Sequence, residues 1–312
     1  HYSLLDGLTQ IKPLVKAAKE RGFSALALTD SGSMYGAIEF YEACKAEGIK
    51  PIVGFEAYLG PRKLTDKDPQ EDKELYHLVL LAENYEGYKN LLSLSSLGHM
   101  EGFFNGKPRI DKEVLRKYSG GIIALSGCIN GEIPQLLKQD NLEKAKNSAL
   151  EYNKIFCQGN FYLELQDHPA IEGQLDVNTK IIQLSKDTGI PMIVTRDVHY
   201  LETDDAEAQD ILTCIREGWK VGQFNREDFR QVDRSLNSAK DIISRFRHVP
   251  EAIENTVKIA ERVNLEINLN AWHFAPVELP VGKSAAEVME EIVNAKIGDY
   301  YQPITEEVKA RA

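Results

Sequence analysis

One pattern constrains this chain more than any other: the alternation of two kinds of segment. Short apolar runs rich in β-branched residues fall at Ala25–Thr29, Ile52–Leu59, Leu78–Ala82, Ile122–Ser126, Phe161–Gln166 and Met192–Asp197. Between them lie amphipathic stretches at Gln10–Arg21, Tyr35–Ala46, Glu86–Leu97, Lys112–Tyr118, Leu142–Phe156 and Gln174–Asp187. The first kind has strand length and the second has helical spacing. Several helical stretches stop at a glycine just before the next strand (Gly22, Gly48, Gly189), the usual helix C-terminal signal. Strand and helix alternating in this way imply an α/β fold built on a parallel sheet, either open or closed into a barrel.

After Tyr200 the pattern changes. Asp204–Glu217, Ser238–Arg247 and Pro250–Val263 read as helices with no strands between them, and Asn268 to Lys283 is irregular, with Pro276 and Pro280. A boundary there gives one domain over 1–270. The remainder, 271–312, reads as a linker followed by a tail that is helical from Ser284 onward and too short to be a domain. Ile304–Ala312 reads as the start of a helix capped by Thr305. Both ends look cut, so the chain is expected to be part of something longer.

Composition excludes several classes. The 312 residues carry 37 Lys plus Arg against 48 Asp plus Glu, a net charge of −11. Such a chain repels a phosphate backbone unless bound cations offset the charge, and no Lys/Arg block does so. No apolar run approaches the ~18–20 residues of a membrane span, so no membrane partner is expected. Cys44, Cys128, Cys157 and Cys214 are scattered, with no Cys-x-x-Cys. That argues against a disulfide scaffold or zinc ribbon and for a reducing, cytoplasmic setting. The P-loop, the dinucleotide-binding glycine fingerprint and the serine-hydrolase elbow are all missing.

In parallel α/β folds, chemistry collects at the C-terminal ends of strands. That edge carries Thr29-Asp30-Ser31-Gly32, Glu56, Ser126-Gly127-Cys128, Tyr162 to His168, and Thr195-Arg196-Asp197-Val198-His199-Tyr200. In Asp197-x-His199, the period of two places a carboxylate and an imidazole on one strand face. The pair suits zinc or manganese. Each residue alone also has a plainer reading. Asp197 could be a turn residue beside a core histidine, Cys128 a small buried hydrophobe, and Glu56 a partner for a lysine. His77 opens its strand, where the strand-end rule does not look for a ligand.

The motifs together are more specific. Tyr2-Ser3-Leu4-Leu5-Asp6-Gly7, Ala25 to Asp30, Gly48 to Glu56, Tyr76 to Ala82, Pro108 to Asp111, Ala124 to Pro134, Phe161 to His168 and Asp197 to Leu201 follow in order. This string resembles the polymerase-and-histidinol-phosphatase (PHP) domain family, in the form found at the N-terminus of the bacterial DNA polymerase III alpha subunit. The resemblance covers about 1–265. The tail from Tyr300 to Val308 looks like the segment leading into the polymerase palm.

The resemblance implies a distorted (β/α)7 TIM-like barrel with a C-terminal helical appendage. It implies up to three divalent metal ions, zinc or manganese, at the barrel's C-terminal edge. Carried over motif by motif, the ligand positions are Asp6, Glu56, His77, Cys128, Asp197 and His199, of which Asp197 and His199 would also be catalytic. The family's His-x-His falls upstream of this chain, His1 occupies a spacer position, and Ser31 stands where the family commonly has histidine. The expected function is the PHP part of a replicative DNA-directed DNA polymerase, a nucleotidyltransferase of DNA replication. Its own metal-dependent chemistry would be phosphoesterase, foremost 3′–5′ exonuclease. The alternative is a non-catalytic module that stabilises the polymerase and docks a proofreading exonuclease subunit. Expected partners are DNA and other replicase subunits.

Overall fold

The computed structural model describes residues 2–157, 159–223, 229–271 and 277–311. His1, Pro276 and the final Ala312, on which parts of the sequence reading fall, lie outside the described residues. The chain divides into two compact units, 1–267 and 268–312.

The first unit opens with α1 (Ile11–Glu20), β1 (Ala25–Ser31), α2 (Ala37–Glu47), β2 (Lys50–Leu59), β3 (Tyr76–Ala82) and α3 (Tyr85–Met100). A small hairpin follows, β4 (Phe103–Phe104) and β5 (Lys107–Ile110), and then α4 (Lys112–Lys117) and β6 (Ile122–Leu125). Next come α5 (Glu132–Lys138), α6 (Leu142–Ile155), β7 (Phe161–Gln166), α7 (Gln174–Thr188) and β8 (Met192–Thr195). The unit ends in helices only: α8 (Ala206–Glu217), α9 (Ala239–Arg245) and α10 (Pro250–Arg262). The second unit holds α11 (Ala285–Tyr300) and α12 (Glu306–Arg311).

Local chemistry accounts for the boundaries. α1 buries Ile11, Leu14, Val15 and Ala18, the i, i+3, i+4, i+7 face of an amphipathic helix. The Asn84 side chain accepts the Gly87 N–H at 3.1 Å to start α3, and Asp111 accepts the Glu113 and Val114 N–H groups, both at 2.9 Å, to start α4. Gly48 closes α2 at φ 72°, a left-handed conformation that carries no Cβ penalty in glycine. Thr305 caps α12 by accepting the Val308 N–H at 3.3 Å.

The strands form one mixed sheet in the order β4-β5-β2-β3-β6-β7-β8, with β1 on β2. It is a distorted TIM-like barrel, and among the described residues no ladder joins β8 to β1. The core lies between sheet and helices: Val53, Leu80, Leu91, Ile123, Phe161 and Val177 are fully buried. Each such side chain contributes ~1.5–3 kcal/mol by leaving water.

The sheet departs from the expected parallel arrangement at two strands: β4 at the edge is antiparallel to β5, and β3 lies within the sheet. β3 runs antiparallel to both of its neighbours, β2 and β6. Its first residues therefore lie at the edge where β2 and β6 end. The sequence reading has neither the β4–β5 hairpin, whose strands are too short to show a period, nor α5, which carries Pro134.

Candidate metal centre

Three side chains converge because β3 is reversed. Glu56 lies in the second half of β2, in register with Ser31 of β1. His77 opens β3 opposite Tyr58, and its Nδ1 lies 3.1 Å from Glu56 Oε1. Cys128 follows β6, with its Sγ 3.6 Å from the same His77 Nδ1. One ligand atom from each of the three lies within 4.8 Å of the others.

The turn that carries Cys128 is built for the purpose. Gly127 has φ 84°, and a Cβ there would lie 2.3 Å from the His77 carbonyl oxygen. The Gly127 N–H donates to Glu164 Oε2 at 3.0 Å, and the Glu164 N–H donates to Ser126 Oγ at 2.8 Å. Glu164 also accepts hydrogen bonds from Gln166 and Thr195. This fully buried carboxyl thus fixes the Cys128 turn. Burial pushes it up to about 7, against the hydrogen bonds from Thr195 and Gln166. At the trio itself, burial opposes a charge on His77, but Glu56 and Cys128 favour it and raise the imidazole to about 11. Burial raises the Cys128 thiol, and His77 acts the other way.

A second group forms at the end of β8. Here the sequence expectation needs correcting: the strand stops at Thr195, and Asp197 has φ 51°, so Asp197 and His199 do not share a strand face. They meet through the turn instead, with His199 Nε2 3.1 Å from Asp197 Oδ1. His199 Nδ1 lies 2.9 Å from the carbonyl oxygen of Asp6. The Asp6 carboxylate is already engaged: Ser31 Oγ donates to Oδ2 at 2.9 Å, and Arg216 of α8 pairs with Oδ1.

Arg234 completes this group, a residue that sequence reading misses. Its Nη1 pairs with Asp197 Oδ2 and lies 3.1 Å from His199 Nε2. Burial opposes the charge on Asp197, but Arg234 and His199 outweigh it and hold the carboxyl well below the ordinary 3.8. No periodicity or motif marks Arg234, because it sits in irregular chain between two helices.

One cavity of about 1470 Å³ is lined by Asp6, Glu56, His77, Cys128, Asp197 and His199, together with Ser31, Glu164, Arg216 and Arg234. A thiol, an imidazole and a carboxylate within ligand distance of one another fit a divalent ion of the zinc type. Among the described residues, Glu56, His77 and Cys128 are the group with that geometry. Nearby, His168 is 2% exposed, and neither ring nitrogen has a hydrogen-bond partner. Burial and the Arg234 guanidinium push it down to about 4.

A mixed-sheet β/α barrel with metal-competent donors gathered on one cavity defines the class. Comparison with known proteins defines the family. The PHP domain model matches residues 1–168, and the chain belongs to that family. It is 40% identical over 314 residues to the DNA polymerase III subunit alpha of Treponema pallidum, covering 100% of this chain and 27% of that protein. To the same subunit of Borreliella burgdorferi it is 41% identical over 315 residues, again 100% and 27%. The Helicobacter pylori J99 subunit is 40% identical over 279 residues, covering 86% and 22%. The chain thus spans about a quarter of the length of these relatives. A solved amidohydrolase from Chromobacterium violaceum is similar at TM-score 0.40 and 15% identity, covering 62% of this chain and 84% of that one, a likeness that carries no argument. Among the described residues, no helix is long and apolar enough to cross a membrane.

Proposed function

We propose that this chain is the PHP region of a replicative DNA polymerase III alpha subunit, and that its cavity is a metal-dependent phosphoesterase centre acting on the 3′ end of DNA. The convergence of Glu56, His77 and Cys128 carries the metal reading. The similarity to alpha subunits over the whole chain carries the polymerase reading. Polymerisation itself would belong to a palm in the rest of such a protein, and the partners would be DNA and other replicase subunits in the cytoplasm.

Glu56, His77 and Cys128 would hold a divalent ion, zinc or manganese, with Asp6, Asp197 and His199 as the further candidate ligands. When bound, the ion supplies Lewis-acid polarisation of a phosphate oxygen. The chain's own groups would do the rest. Arg216 and Arg234 place positive charge beside the cavity, where an anionic backbone needs it in a protein of net charge −11. His199, oriented by Asp197 and by the Asp6 carbonyl, is placed to hold or move a proton at Nε2.

A second reading is favoured by one observation. Asp6 and Asp197, two of the candidate ligands, are already paired with arginines. A domain so neutralised could act only as a structural module that steadies the polymerase and docks a proofreading subunit. The test is release of nucleotides from a 3′-labelled oligonucleotide with zinc or manganese supplied. Metal-dependent release that Cys128→Ser and Asp197→Asn abolish supports the enzyme. A metal-loaded protein that never cleaves supports the module.

A further inference from the structure

The two groups on the cavity differ in one respect: among the described residues, no lysine or arginine forms an ion pair with Glu56, His77 or Cys128, whereas Arg234 pairs with Asp197. Glu56, His77 and Cys128 contact one another. Asp197 and His199 converge on a guanidinium. His199 Nε2 and Asp197 Oδ1 are 3.1 Å apart, a spacing that two ligands of one ion can take. The Arg234 Nη1 sits within hydrogen-bond distance of the same imidazole nitrogen and of the other carboxylate oxygen. His199 Nδ1 faces the Asp6 carbonyl, so Nε2 is the nitrogen that faces both this guanidinium and Asp197 Oδ1.

Arg234 is fixed in place from its backbone outward. The His199 N–H donates to the Arg234 carbonyl at 3.0 Å, and the Arg234 N–H donates to the Tyr200 hydroxyl at 2.9 Å. Tyr200 and Ser235 form a parallel bridge, and the Leu236 N–H donates to the Tyr200 carbonyl at 3.2 Å. The segment carrying the arginine is therefore paired to the segment carrying the two acceptors. The Arg234 side chain is only 17% exposed, so this is no surface residue swung inward. A guanidinium keeps its charge across the accessible pH range. An ion can enter only by displacing it and leaving a buried charge to be compensated elsewhere.

We infer that Arg234 is the resident cation of the Asp197–His199 group, so that this chain's centre takes one divalent ion, on Glu56, His77 and Cys128, rather than a cluster. The inference rests on the metal reading of that trio. The Asp6 carboxylate supports it, being taken up by Ser31 and Arg216 in the same way. Arginine here does by a fixed side chain part of what a second ion would do: it neutralises Asp197, with one positive charge where a divalent ion would bring two.

The experiment counts metal in the intact chain after equilibration with zinc or with manganese and removal of unbound ion. The expected value is about one ion per chain, lost in Cys128→Ser. Arg234→Met should bind about two, and the double variant Arg234→Met/Asp197→Asn should return to about one. Arg234→Lys, which keeps a cation, should stay near one. Thermal unfolding gives a second readout: Arg234→Met should melt below the parent without metal and gain more from added metal than the parent does. Two or more ions in the parent would overturn the inference, as would an Arg234→Met protein that folds and still holds one. No metal in the parent, but one ion gained by Arg234→Met and lost again with Asp197→Asn, would sink the trio reading and leave the role of Arg234 standing. No metal in any variant would sink both.

Discussion

His77 stands opposite Tyr58 across the antiparallel β2–β3 ladder, and their rings meet edge to face with centroids 5.3 Å apart. The ladder sets the height of the imidazole and the tyrosine ring sets its tilt, leaving Nδ1 directed at both Glu56 and Cys128. Loss of a supporting group around a metal ligand typically costs ~10–100-fold in affinity, and loss of the ligand itself costs more. His77→Gln should therefore lower zinc affinity by over ~100-fold and Tyr58→Leu by ~10-fold, measured by competition with a chromogenic chelator. An equal or larger effect for Tyr58→Leu would mean that His77 is not a ligand.

Gly127 is the position where backbone conformation and the centre are most tightly tied. An alanine there would need a left-handed backbone, at roughly 1–2 kcal/mol, and its Cβ would press on the His77 carbonyl at 2.3 Å. Backbone cannot yield as a side chain end can, so the turn must open and carry Cys128 away. Gly127→Ala should lower the melting temperature and weaken zinc binding together. A stable variant with parental zinc affinity would show that the turn does not position the thiol.

The helices were legible because burial on one face imposes a period, and β1, β2, β6, β7 and β8 because they are short continuous apolar runs, with every residue of β6 and β7 buried. Strand direction carries no such mark. β3 reads the same in either sense, so His77 looked misplaced until its neighbours were seen to run the other way. The Asp197–His199 pair was legible as a pair but not as a turn, since the left-handed φ of Asp197 is a tertiary demand. Arg234 was illegible for a different reason. It meets its partners through chain pairing 35 to 37 positions away, and only the fold brings those segments together.

Buried His168 and Glu164 should give stability opposite pH dependences. His168 falls from 6.5 to about 4 on folding, so between these values the unfolded state binds the extra proton. Its contribution is whole above pH 6.5 and is lost as pH falls toward 4, by roughly 3 kcal/mol. Glu164 rises from 4.5 to about 7, so in that window the folded state binds the extra proton. Its contribution is whole below pH 4.5 and is lost as pH rises through 7, by a similar ~3 kcal/mol. The two slopes offset each other between 4.5 and 6.5. In EDTA, urea unfolding of Glu164→Gln should show stability falling with acid, and His168→Gln should show it rising with acid. Parental slopes in both variants would mean that neither group titrates in this way.

We propose that residues 1–270 are the folding unit and that 271–312 lead toward a polymerase palm. Among the described residues, the last buried apolar side chain is Leu265. Neither α11 nor α12 buries any residue. Helices that bury nothing are held by their own caps, such as the reciprocal Ser284–Glu287 pair. A chain ending at residue 270 should keep one cooperative thermal transition and the parental zinc affinity. At this size, a loss of ~1 kcal/mol lowers the melting temperature by ~2–4 °C, so the truncated protein should melt within that interval of the parent. A transition that broadens or vanishes, or a drop well beyond that interval, would place the boundary elsewhere. A melting temperature that held while zinc binding fell would also count against the boundary, since residues after 270 would then contribute to the centre.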